Sequence, residues 1–164
     1  MDKRACIHEA GHFYLAWEYG RAFSICIANQ VQTDDLTGEE YLSRGHVKTS
    51  DHGALPKVLL SIRAAGLAAE SLVYNELLDD LMGNPTVQFS IKTDTDHAKQ
   101  DLVNAGLPPS TEAEFRKYWD IGFSEAWNMM RNSQDKLHRI AEYCLANLGR
   151  EILTSEIVAN CHLS

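Results

Sequence analysis

DKRACIHEAGHFYLAWEYG, residues 2–20, decides how this chain is read, because its centre is His8-Glu9-Ala10-Gly11-His12. Asp2 is suited to an N-cap, and Gly20 after Tyr19 supplies a stop, so the stretch is predicted to be one helix. On a helix, residues four apart project from one face, and His8 and His12 can then reach a single metal ion. Glu9 sits about 100° further round. That places its carboxylate beside the ion, where it can take a proton from water. Gly11 costs about 1 kcal/mol relative to Ala in a helix interior, a loss explained if close packing or substrate access needs the space.

Composition narrows the function classes. The chain has 164 residues, 45% of them apolar, which is enough for one core and too few to require two, so residues 1–164 are read as a single domain. A net charge of −8 lacks the basic face that nucleic acid or anionic lipid demands, and no apolar run approaches the roughly 20 residues of a membrane span. The polar start does not resemble a secretion signal, and a cytoplasmic location is expected. Cys6, Cys26, Cys144 and Cys161 form no C-x-x-C pair and read as buried thiols.

Residues 22–31 set Phe23, Ile25 and Ile27 against smaller or polar neighbours, as in a half-buried strand. Residues 32–45 read as a polar loop, and His46–Thr49 as a short second strand. From Lys57 to Leu78, apolar residues recur at helical spacing around Gly66 and several alanines. After Gly83-Asn84-Pro85, the run Thr93-Asp94-Thr95-Asp96 offers N-caps for a helix reaching about Asn104. Helices are expected at about 111–132 and 133–147, and a last one from about Thr154. The fold class is therefore α+β, mostly helical with a small mixed or antiparallel sheet.

Three further stretches extend the reading of His8–His12. Ala65-Gly66-Leu67-Ala68-Ala69-Glu70-Ser71-Leu72 is similar to the Gly-Gly-Arg-Ala-Ala-Glu-Glu-Leu helix of the FtsH-type zinc metallopeptidases, family M41. Thr95-Asp96-His97-Ala98-Lys99-Gln100 resembles that family's Ser-Asn-Asp-Leu-x-x-Ala segment, and the stretch from Ala126 to Ile157 resembles its closing helices. Together they cover about half of the chain in family order. Leu67 stands where the family has Arg, and the interval from the metal helix to Asp96 is longer than usual. The resemblance implies an FtsH peptidase-like fold, a Zn2+ cofactor, and Asp96 as third ligand. It extends to neither the AAA+ ATPase nor the membrane anchor, so a stand-alone peptidase domain is expected.

Two neutral histidines need at least one more protein ligand, and a carboxylate leaves a zinc site with net charge +1. Asp96, in the first turn of its expected helix, is preferred. Asp94 and Glu70 remain rivals, with Glu70 also suited to orienting a histidine through a hydrogen bond. His46, His52, His138 and His162 read as surface or satisfied residues, and Trp17, Trp119 and Trp127 as core or interface anchors.

The expected activity is zinc-dependent peptide-bond hydrolysis, with His8, His12 and Asp96 on the metal and Glu9 as the base. The expected substrate is an unfolded or extended polypeptide, held against the strand at 46–49 and delivered, where needed, by a separate ATPase or protein partner. Homo-oligomerisation stays open. The alternative is an inactive zinc-binding module that recruits or regulates a partner.

Overall fold

The computed structural model describes residues 3–33, 38 and 40–163. The first helix, α1 (Lys3–Glu18), ends where Gly20 takes φ +68° and the Gly20 and Arg21 amides donate to the Trp17 and Ala16 carbonyls. The expected cap Asp2 lies outside the described residues. A hairpin follows, β1 (Ala22–Thr33) and β2 (Glu40–Thr49), paired antiparallel with Ile25 opposite Val47 and Ile27 opposite Gly45.

Both strands reach into the segment read as a loop: Val31, Gln32 and Thr33 pair with Leu42, Tyr41 and Glu40. Ladder bonds are made by backbone groups, so a polar sequence can continue a hairpin that an apolar pair has started. Of that segment, residues 34–37 and 39 lie outside the described residues. The pairing also slips at two places, the second between Ile27 and Gln30. Register shifts between Ala22 and Ser24, turning Phe23 outward to 59% exposure while Ile25 and Ile27 stay buried.

The next helix, α2 (Pro56–Tyr74), starts with Pro in its first turn and ends four residues short of Leu78. Asn75 stops it by adopting φ 54°, its amide bonded to the Ser71 carbonyl. A short α3 (Leu78–Met82) and a 3-10 turn (Pro85–Val87) lead into α4 (Gln88–Asn104). The chain then forms α5 (Glu112–Met130), capped by the Thr111 hydroxyl accepting from the Glu114 amide, and α6 (Gln134–Leu145). The two-residue β3 (Ile152–Leu153) joins the free side of β1 and gives the sheet order β2-β1-β3; α7 (Thr154–Cys161) closes the fold. The architecture is α+β, mostly helical with a small antiparallel sheet. Among the described residues no helix is long and apolar enough to cross a membrane.

Two apolar clusters share α2. One joins Phe13 and Leu15 of α1 to Ile25, Ile27, Ile140, Ile152 and Ile157; the other joins Leu60 and Leu67 to Leu81, Leu102, Phe115 and Trp119. All four cysteines are buried, and burial pushes the Cys144 thiol up. Between the clusters α1 lies directly on α2. A Cβ at Gly11 would fall 2.4 Å from the Ala65 carbonyl oxygen and 2.6 Å from the Ala69 Cβ. Gly11 therefore serves the close packing anticipated for it. Gly11→Ala is expected to destabilise the protein by about 1–3 kcal/mol in urea unfolding, the cost of overpacking outweighing the roughly 1 kcal/mol gain in helix propensity.

A candidate metal centre on the first and second long helices

Both histidines of α1 face α2, and α2 decides which ring nitrogen each presents outward. The Nδ1 of His8 donates to Oε1 of Glu70 at 2.8 Å, and the Nδ1 of His12 donates to the Ile62 carbonyl at 2.7 Å. A carbonyl, or a carboxylate paired with an arginine as Glu70 is with Arg4, can only accept. In its neutral form each ring thus carries its proton on Nδ1 and turns an Nε2 lone pair the other way.

The two lone pairs converge. His8 Nε2 and His12 Nε2 are 3.1 Å apart, and Oδ2 of Asp94 lies 3.1 Å from the first and 3.3 Å from the second. Three ligand atoms on a tetrahedral ion with bonds of about 2.0–2.1 Å stand about 3.3 Å from one another, so the spacing fits a metal ion. Three acceptors so placed repel one another unless a cation sits among them. The same surroundings favour positive charge at the rings. Burial lowers the affinity of His8 for a second proton, but the hydrogen bonds the protonated ring donates to Asp94 and Glu70 overcome it and raise the pKa well above the ordinary histidine value. Burial would raise the Asp94 carboxyl, but the charge of His12 and the hydrogen bonds of both rings hold it well below the usual carboxylate range. Histidine, histidine and aspartate form a group that can hold a metal ion.

Asp96, the preferred third ligand, is not in this group. Its side chain is 54% exposed and pairs with Lys92 one turn away at 3.0 Å. The error lies in where the helix begins. With α4 starting at Gln88 rather than near Thr93, Asp94 and Asp96 are both interior positions, about 200° apart in direction. The polar run does not cap: Thr95 bonds back to the Ile91 carbonyl at 2.8 Å, while Asp94 takes the buried face. Apolar phase carried the missed signal, since Ile91, Ala98 and Leu102 are buried and Asp94 falls at three and four residues from the first two. Arg63 of α2 anchors this helix by donating to Asp101 at 2.9 Å.

Glu9 lies beside the group, its carboxyl raised by burial against the pull of His12 and His8. Strand β2 passes over it: a Cβ at Gly45 would meet the Glu9 Cγ at 2.9 Å. A second gap lies beneath the rings, where a Cβ at Gly66 would come within 2.5 Å of His8 Nε2 and 2.6 Å of His12 Nε2. Glu70, the other rival, holds His8 from the side away from Asp94. His46, His52, His97 and His162 are exposed.

A Co2+ titration followed by visible absorption is expected to show one saturable site in the wild type and in Asp96→Asn, and none in Asp94→Ala. Wild-type binding by the Asp94 variant would refute the donor set. Gly66→Ala should weaken binding at least tenfold, as its methyl group displaces both rings. No protein-family model matches the chain and no curated protein matches it in sequence, so the site is read from its own geometry.

Proposed function

We propose that the chain is a zinc-dependent peptidase in which His8, His12 and Asp94 hold the metal and Glu9 is the general base. One observation carries the reading: three lone-pair atoms converge at 3.1–3.3 Å with a buried-side carboxylate next to them. The nitrogen-and-oxygen donor set suits zinc, and the histidine–carboxylate bond at Glu70 is the kind of support that zinc-binding imidazoles receive. Bound there, zinc supplies Lewis acidity, bringing the pKa of water toward about 7 and polarising a substrate carbonyl.

The remaining chemistry belongs to the chain. Glu9 takes the proton of the attacking water and passes it to the departing amine; burial raises its pKa, the direction that helps a carboxylate hold a proton between the two steps. Strand β2 is an edge strand among the described residues and runs directly over Glu9 at Gly45. An extended polypeptide pairing with that edge would bring its carbonyls past the base.

Similarity to the FtsH-type M41 peptidases supports the same reading and gains from the corrected ligand. In that family's Asp-Leu-x-x-Ala segment, alanine follows aspartate by four residues, and here Ala98 follows Asp94 by four. The FtsH-like fold, a cytoplasmic location and delivery of substrate by a separate ATPase belong to this proposal. The test is cleavage of casein or an unfolded peptide by the zinc-loaded protein. Glu9→Gln is expected to lower the rate by about 10²–10⁴ while leaving zinc content unchanged. Equal cleavage by the variant overturns the role of Glu9, and zinc binding without cleavage by the wild type leaves a metal-binding recruitment module in place of an enzyme.

A further inference from the structure

Arg4 lies one helical turn before His8, on the same face of α1. Its guanidinium uses every side. Nε donates to Oε2 of Glu70, the oxygen not used by His8; Nη1 donates to Oε1 of Glu76 at 3.1 Å, and Nη2 donates to Oε2 of Glu76. Its Cζ lies 4.9 Å from the centre of the Tyr74 ring. Glu76 is itself held in place, its carbonyl accepting from the Ser71 hydroxyl at 2.6 Å and its amide donating to the Ser71 carbonyl at 3.1 Å.

We propose that Arg4 is a positioning residue for the metal centre, fixing the Glu70 carboxylate so that its other oxygen holds the His8 ring in its metal-facing orientation. The inference rests on the metal-binding reading of His8, His12 and Asp94. A glutamate side chain has three rotatable bonds, and a hydrogen bond to one imidazole proton does not restrain them all. The arginine fork does, because its donors are planar and Glu76 and Tyr74 fix it from behind. It also places a positive charge against a carboxylate whose side chain is only 2% exposed, which buried ions require. The chain Glu76–Arg4–Glu70–His8 thus runs from a half-exposed carboxylate to a metal-facing ring. A lysine could meet one carboxylate but not both in this geometry.

The test compares Co2+ affinity and the visible Co2+ spectrum in wild type, Arg4→Met, Glu70→Gln and the double variant, with circular dichroism checking the fold. The expected result for Arg4→Met is a 10- to 100-fold loss of affinity and a shifted spectrum. In the Glu70→Gln background the same substitution should cost nothing further, because Arg4 acts through Glu70. Unchanged affinity and spectrum in Arg4→Met, or an equal loss in both backgrounds, overturns the proposal while leaving the metal centre standing. Failure of the wild type to bind Co2+ defeats the metal centre itself and the proposal with it. Should Arg4→Met not fold, Arg4→Lys, which keeps the charge without the fork, is read by the same criteria.

Discussion

The site depends on how closely α1 can approach α2. At Gly11 the helices are near enough for the Ala65 carbonyl to lie where a side chain would begin, and at Gly66 the imidazoles of His8 and His12 occupy the space of a missing Cβ. Without this approach, the Ile62 carbonyl and the Glu70 carboxylate of α2 would not reach the two Nδ1 protons. The alanines that surround these glycines serve the same end. Ala64, Ala65, Ala68 and Ala69 are fully buried, and they let one helix be lined by two apolar clusters while carrying polar groups between them.

This close packing turns a sequence motif into a directed site. Four-residue spacing puts two histidines on one face but leaves ring rotation and tautomer free. Here both are settled from outside the motif, by acceptors 50 and 62 residues away in the chain. Asp94 then enters from α4, which Arg63 ties to α2 through Asp101. Three helices meet at one point, and α2 alone touches the supports of all three metal-facing groups.

The legible parts of the sequence were those with a local cause. His8, Glu9 and His12 were readable because helix periodicity acts within one turn, and Gly20 because a left-handed stop needs its conformational freedom. Residues governed by partners elsewhere were not. Thr93-Asp94-Thr95-Asp96 has the composition of a cap, yet a buried Ile91 upstream and the histidines of α1 pull it into the interior of α4. Phe23 follows the strand alternation on paper but is turned out by an irregularity that depends on the register of β2. Residues Ile152 and Leu153 were too few to show a strand pattern; β3 exists because β1 had a free edge for them.

Charge balance explains why the surroundings matter as much as the ligands. A divalent ion held by one aspartate and two neutral histidines would keep net charge +1, enough to polarise water. Glu70 lies against His8 and, left as a lone buried anion, would cancel that charge through the ring. Arg4 offsets it, and Glu76 holds the guanidinium from the more exposed end of the row, where solvent screens its own charge. Glu9 is then the one acidic group next to the metal-facing atoms whose charge no arginine neutralises among the described ion pairs. Its carboxylate lies under Gly45, and burial raises its pKa against the pull of the two histidines.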